Sequence, residues 1–251
     1  MAPILFISDL HLNADEPETV ERFRHFCRNI APQAQALYIL GDFFEYWAGD
    51  DDMAEPFNHG IVEELRQLST KIPHIHLLHG NRDFLLGADF AAAAGVTLLP
   101  DPTLIDLFGR PTIITHGDAL CTDDVAYQQF RAMVRNPQWQ AQFLAQPLAV
   151  RKAIAEDLRR KSEASKQEKS AAIMDVNPEA VTDLFRRFPD ARDLIHGHTH
   201  RPACHVLALE GRECRRWVLQ DWYLGMAGYM QCVPFESNLI KWLFLTPSAT
   251  G

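Results

Sequence analysis

Residues Ile4-Leu5-Phe6-Ile7-Ser8-Asp9-Leu10-His11-Leu12 decide how this chain is read. An apolar run of β-branched and aromatic residues stops at a serine, an aspartate and a histidine. So short a run reads as a strand buried on both faces, although periodicity alone leaves a helical segment open. In extended chain the side chains at i and i+2 point the same way, so Asp9 and His11 would converge in front of a sheet, as metal ligands do. Taken alone, the stretch is equally a surface turn with an incidental acid and imidazole. The rest of the chain decides between them.

The same punctuation recurs. Ala36-Leu37-Tyr38-Ile39-Leu40 is closed by Gly41-Asp42-Phe43-Phe44-Glu45, and Ile75-His76-Leu77-Leu78 by His79-Gly80-Asn81-Arg82-Asp83. Pro111–Thr115 runs into His116-Gly117-Asp118, and Asp193-Leu194-Ile195 into His196-Gly197-His198-Thr199-His200. Leu98-Leu99 marks a short strand, and further strands are expected near 204–209, 215–219 and 239–245, the first two joined as a hairpin at Glu210-Gly211-Arg212. Amphipathic helices are expected where Val20, Phe23, Phe26, Cys27 and Ile30 recur behind an acidic start, where Ile61, Val62, Leu65 and Leu68 recur, and over 178–188. Asp50-Asp51-Asp52 reads as a solvated loop in preference to a metal site. From Thr122 to about Asn177 strand-like runs disappear, and prolines at 137, 147 and 178 divide the segment into two or three inserted helices.

At 251 residues the chain is expected to be a single domain, 1–251, with a helical insertion at about 122–177. The composition, 47% hydrophobic and 23% charged, is that of an ordinary globular protein. A net charge of −9 argues against generic binding to nucleic acid. No apolar stretch reaches the roughly 18 to 20 residues that span a bilayer, and the N-terminus lacks the pattern of a signal peptide. Cys27, Cys121, Cys204, Cys214 and Cys232 are scattered without CxxC spacing, which points to a reducing cytoplasm and away from a disulfide framework or zinc ribbon.

The strand ends carry Asp9, His11, Asp42, Asn81, His116, His198 and His200. Ligands of α/β sheets bind outside the carboxyl ends of the strands. Seven donors exceed what one ion uses but suit two ions about 3.5 to 4 Å apart that share a bridging carboxylate. Asp42 is the natural bridge, with Asp9, His11 and His200 on one ion and Asn81, His116 and His198 on the other. Imidazole, carboxylate and amide oxygen without thiolate suit Mn²⁺ or Fe²⁺, with Zn²⁺ as an alternative.

The series Asp9-x-His11, Gly41-Asp42, Gly80-Asn81-Arg82-Asp83, His116-Gly117 and Gly197-His198-x-His200 resembles the signature of the calcineurin-like metallophosphoesterases, over residues 4 to about 205. The resemblance implies an α/β fold, the αββα sandwich of that family, with a dinuclear centre at the sheet edge and here an inserted helical cap. By the same resemblance His196 is outside the ligand pattern. Ser8 to Leu12, Gly41 to Glu45, Gly80 to Phe84, Lys161-Ser162 to Lys169, Ile173-Met174-Asp175-Val176-Asn177 and His196 to Pro202 narrow the likeness to the branch that hydrolyses the pyrophosphate bond of UDP-2,3-diacylglucosamine to UMP and 2,3-diacylglucosamine 1-phosphate, a step of lipid A biosynthesis. That likeness implies catalytic roles for Asp9, His11, Asp42, Asn81, Arg82 and His116. It implies substrate contacts from Asn81, Arg82, Asp124, Ser162, Lys166, Lys169 and His198. It also implies two Mn²⁺ per chain and a cytoplasmic protein, expected as a monomer, lying peripherally on the inner membrane.

Arg82 departs from the broader pattern, where a histidine commonly follows the asparagine. An arginine stays charged and cannot protonate a leaving group. The leaving group should then need no proton, as with a phosphate monoester of second pKa about 6. A hydroxide activated by two metals is expected to attack the phosphorus nearest uridine, with the metals and Arg82 stabilising the developing charge. In the insertion, Ser162, Lys166 and Lys169 share one helical face, suited to phosphate or sugar oxygens. Phe130, Met133, Trp139, Phe143 and Leu144 either line a slot for acyl chains or form the insertion's own core. Arg159, Arg160 and Lys161 are either a membrane-surface patch or a solvated helix face. The alternatives are a dinuclear phosphodiesterase or nucleotide pyrophosphatase acting on a soluble substrate, and a non-catalytic scaffold, against which retention of every donor counts.

Overall fold

The computed structural model describes residues 2–168, 175–223, 226–234 and 240–244, with the backbone alone at 161–168 and 240–244. Lys169 and the side chains of Ser162 and Lys166 lie outside the described residues, as do Lys161's side chain and Ile173-Met174.

In chain order the elements are β1 (Ile4–Ile7), α1 (Pro17–His25), β2 (Ala36–Leu40), α2 (Pro56–Ser69), β3 (His74–Leu78), α3 (Ala88–Ala94), β4 (Thr97–Leu99), β5 (Thr103–Asp106) and β6 (Pro111–Thr115). The insertion follows as α4 (Val125–Val134), α5 (Pro137–Leu144) and α6 (Leu148–Glu168). The chain returns through α7 (Pro178–Arg187), β7 (Asp193–His196), β8 (Ala203–Leu209), β9 (Arg212–Val218), β10 (Gly228–Cys232) and β11 (Ile240–Phe244).

Two sheets result. One has the order β11-β10-β1-β2-β3-β4, the other β5-β6-β7-β9-β8. Strands β1 to β4 are parallel, and so are β6, β7 and β9. The unbroken apolar run of β1 is explained by its two buried faces. Ile4 and Phe6 join Leu40, Ile114, Ile195 and Met230 between the sheets, while Leu5 and Ile7 turn to the layer holding Phe23, Phe26 and Leu65. A third cluster, with Val181, Leu184 and Phe185 of α7 against Ile113 and Leu194, covers the other sheet's outer face. The architecture is therefore helix, sheet, sheet, helix. All the parallel strands end on one edge, which gathers the turns after β1, β2, β3, β6 and β7.

Elements with no apolar run were not foreseen. In β5 burial alternates along an edge strand, and in β10 glycine and polar residues interrupt the pattern. The tight Glu210-Gly211 turn forms as expected, with positive φ at both residues. The reading of Asp50-Asp51-Asp52 as a solvated loop is corrected. Asp50 accepts hydrogen bonds from Trp47 Nε1, Gly87 N and Phe90 N at 3.0, 2.9 and 2.9 Å. Asp51 pairs with the buried Arg151 (2.9 Å), and the buried Asp52 with Lys152 (3.0 Å). The acidic run thus anchors α6, whose partner residues lie about a hundred positions further on.

Candidate metal centre and adjoining cleft

Backbone geometry at the strand ends differs from simple strand alternation. β1 has already ended at Ile7, and Asp9 and His11 adopt φ of 55° and 50°. Asp42, His198 and His200 are left-handed as well, at 49°, 65° and 53°. Each such residue costs about 1–3 kcal/mol and persists only where its surroundings hold it. Here Asp9 N, His11 N and Leu12 N donate to Gly41, Asp42 and Phe43 carbonyls at 3.0–3.1 Å, and Trp222 N donates to Asp9 O at 3.0 Å. The expected convergence is real, but a turn braced by the neighbouring loop produces it. Two glycines permit the approach. A Cβ on Gly80 would stand 2.1 Å from Asp42 Oδ1, and one on Gly197 would stand 2.0 Å from Ser8 Oγ.

Two ligand groups form, Asp9-His11-His200 and Asp42-His116-His198, each with its ligand atoms within 4.8 Å of one another. Asp42 spans them: its Oδ2 is 3.8 Å from His11 Nε2 and its Oδ1 3.7 Å from His116 Nε2. Asn81 Oδ1 lies 3.0 Å from His116 Nε2. The structure therefore brings all seven sequence-derived donors to one place.

Outer partners turn the imidazoles inward. His11 Nδ1 lies 2.8 Å from Glu45 Oε2, His116 Nδ1 2.8 Å from Leu40 O, and His200 Nδ1 3.3 Å from Asp221 Oδ2. Asp9 Oδ2 accepts from Ser8 Oγ and His198 N at 2.6 and 2.9 Å. His11 Nε2 is buried without a hydrogen bond, and the buried Asp9 Oδ1 meets only the ion-pair contact of His200 Nε2 at 3.3 Å among the described residues. Buried polar atoms left this way mark a place prepared for another charge.

The electrostatics agree. Burial resists protonation of His116, yet Asp42, Asp9 and Asp118 raise its pKa to about 9. Burial likewise opposes His200, but Asp221 and Asp9 raise it to about 10. Burial opposes ionisation of Asp9 as well, and the surrounding histidines nevertheless hold its pKa far below the carboxylate range. The buried carboxylates thus retain protons on neighbouring imidazoles, which divalent ions can displace. The N/O donor set, the inward Nε2 atoms and the buried His11 Nε2 left without a hydrogen bond fit a dinuclear metal site. His196 does not contribute: its Nδ1 bonds Gly197 O (2.8 Å) and its Nε2 faces Arg216 (3.1 Å), while burial and then Arg216 lower its pKa to about 3.

A cavity of about 520 Å³ opens from this centre beneath the insertion. Asn81, Arg82, Asp124, His198 and Arg159 line its polar end, and Phe84, Phe130, Trp139, Phe143 and Leu158 its apolar walls. Trp139 stacks on Phe143 at 5.0 Å. Met133 and Leu144, expected with them, are 48% and 41% exposed, because the helices turn those positions outward. Arg82 N donates to Asp42 Oδ1 at 2.8 Å, and its guanidinium lies 3.6 Å from Glu45. Asp124 caps α4 through Tyr127 N. Arg159, 38% exposed, bonds Glu45 at 2.8 Å at the cavity's edge, whereas Arg160, 81% exposed and paired with Asp157, lies on a solvated helix face as expected. Sequence reasoning missed Glu45, although it ends the Gly41-Asp42 motif, and Asp221, which no motif marks.

Sandwich, paired ligand groups and strand-end glycines define a class. A calcineurin-like phosphoesterase family profile matches residues 2–202, and the chain belongs to that family. The chain is similar to proteins named UDP-2,3-diacylglucosamine hydrolase. One from Aromatoleum aromaticum is 53% identical over 221 residues, covering 87% of this chain and 89% of that protein. Those of Cellvibrio japonicus and Pseudomonas aeruginosa are 51% and 50% identical, each covering 87% of this chain and 90% of their own length.

Proposed function

We propose that the chain hydrolyses the pyrophosphate bond of UDP-2,3-diacylglucosamine, releasing UMP and 2,3-diacylglucosamine 1-phosphate in lipid A biosynthesis. One observation carries the reading: the ligand groups open directly into an apolar-walled cavity, with Arg82 at the boundary between them. A soluble nucleotide gives no reason for such walls. Asp9, His11 and His200 would hold one ion, and Asn81, His116 and His198 the other, with Asp42 shared; Mn²⁺ is the ion proposed, with Fe²⁺ or Zn²⁺ as alternatives. When bound, the ions supply an activated water and stabilise charge on phosphorus oxygens.

The chain's own groups do the rest. Arg82, fixed at its main chain by Asp42, presents a permanent charge to the phosphates and carries no transferable proton. Asn81, Asp124 and His198 face the same end of the cavity. Phe130, Trp139 and Phe143 would receive acyl chain, and α4, α5 and α6 would act as a cap on a single domain. Contacts from Ser162, Lys166 and Lys169 are proposed on helical spacing alone.

No helix among the described residues is long and apolar enough to cross a membrane. A cytoplasmic monomer remains the proposal, and the apolar surface that Met133, Leu144 and Val150 expose on the insertion would suit a peripheral contact with the inner membrane. Product analysis tests the assignment: with Mn²⁺, UMP should appear far faster from the diacylated UDP-sugar than from its unacylated counterpart. Equal rates would remove the lipid assignment.

A further inference from the structure

Glu45 is nearly buried, and its side chain is only 9% exposed. Its two oxygens face different parts of the molecule. Oε2 is 2.8 Å from His11 Nδ1, on the side of that ring away from the ligand cluster. Oε1 is 2.8 Å from Arg159 Nε on α6 and 3.6 Å from Arg82 Nη1. A single carboxylate therefore touches a candidate metal ligand, the helix that roofs the cleft and the arginine at its polar end.

We propose that Glu45 is a positioning residue that couples occupancy of the Asp9-His11-His200 site to seating of α6 over the cleft. An ion drawing electron density from His11 Nε2 makes Nδ1–H a stronger donor and fixes Oε2. With one oxygen fixed, the other is held where Arg159 can reach it. Coupling of this kind is reciprocal, so a seated α6 also favours the ion. Asp51 and Asp52 anchor the first turns of α6 through Arg151 and Lys152. Glu45 is the contact further along the same helix, where the roof meets the site.

The KM arm of the test rests on the proposed substrate, and the other arms rest on the proposed ion, Mn²⁺, without substrate. Amide hydrogen exchange along residues 148–160 is followed in full-length protein with and without Mn²⁺, alongside calorimetric Mn²⁺ titration. In wild type, Mn²⁺ should slow exchange near Arg159 by roughly 10-fold, as expected for one charge-assisted hydrogen bond. Arg159→Met should abolish that slowing and, by the same linkage, weaken Mn²⁺ binding by up to about 10-fold. Glu45→Gln keeps an oxygen for His11 but loses the charge that holds Arg159, so it should behave as Arg159→Met does, losing the slowing and binding Mn²⁺ up to about 10-fold more weakly. Glu45→Ala should weaken Mn²⁺ binding roughly 10- to 100-fold. On the diacylated UDP-sugar, Arg159→Met should raise KM several-fold with little change in kcat. The coupling is overturned if Mn²⁺ slows α6 equally in wild type and Arg159→Met, if it slows neither, or if Glu45→Ala binds Mn²⁺ as wild type does. Should Glu45→Ala fail to fold, the near-isosteric Gln and Met variants decide. Failure of the KM arm alone would count against the substrate, and the exchange data would still judge the coupling.

Discussion

The main-chain N–H of Arg82 donates to Asp42 Oδ1 at 2.8 Å, while Asp42 stands between His11 and His116. The residue that presents charge to the cleft is thus tied, through its backbone, to the carboxylate shared by both ligand groups. Changing the Arg82 side chain leaves that tie in place.

Arg82→Ala should lower kcat/KM roughly 10²- to 10³-fold, as for other lost charge-stabilising contacts, with Mn²⁺ content unchanged. Arg82→His loses the permanently charged fork but gains a titratable proton. It should stay impaired on the pyrophosphate and gain relative activity on an alkyl phosphodiester. The measurement is the ratio of kcat/KM on the two substrates at matched Mn²⁺ occupancy. An unchanged ratio, with full activity on the pyrophosphate, would refute the leaving-group argument.

Asp42→Ala removes the one carboxylate, among the described residues, within 4 Å of both His11 and His116. Metal analysis of the purified variant should find fewer than two Mn²⁺ per chain, and turnover should be lost. Wild-type rates with both ions retained would be incompatible with a shared carboxylate.

Trp139→Ala removes an apolar wall while leaving the ligand groups untouched. KM for the diacylated substrate should rise by about 10-fold or more, in line with the burial lost. Activity on an unacylated UDP-sugar should not change. Equal losses on both substrates would place Trp139 in the insertion's core alone.

Stability should depend on pH through Asp118, a buried carboxylate that accepts from Arg131 Nε at 2.8 Å and Tyr127 Oη at 2.6 Å. Burial opposes its ionisation, but His116 and Arg131 overcome that and hold its pKa below the ordinary 3.8. A depressed folded-state pKa stabilises the protein above the unfolded value, and the contribution disappears as pH falls below about 4 towards the folded value. Asp118→Asn should cost about 3 kcal/mol at pH 7 and progressively less under acid conditions. Denaturant titrations of chelator-treated protein at pH 7 and below pH 4 test this. An equal penalty at both would contradict it.

The buried strands and the seven donors were legible in the sequence because their signals are local, whereas the sandwich came from the family resemblance that the same motifs carry. A strand buried on both faces must be apolar throughout, as β1 and β2 are, and a turn at its end can carry the acid, imidazole or amide a few residues later. Edge strands such as β5, whose positions alternate between half-buried and exposed, leave no comparable run. Three-dimensional pairing decided everything that depends on distant partners. The left-handed turn at Asp9 and His11 exists because the Gly41–Phe43 segment bonds to it. Asp51 and Asp52 became anchors because α6 brings Arg151 and Lys152 against them. Helix rotation placed Trp139 and Phe143 in the cleft and left Met133 and Leu144 outside. Composition and spacing specify which groups a chain owns, but a charge finds its counter-charge, and a ring its cavity, only when packing brings together residues far apart in the sequence.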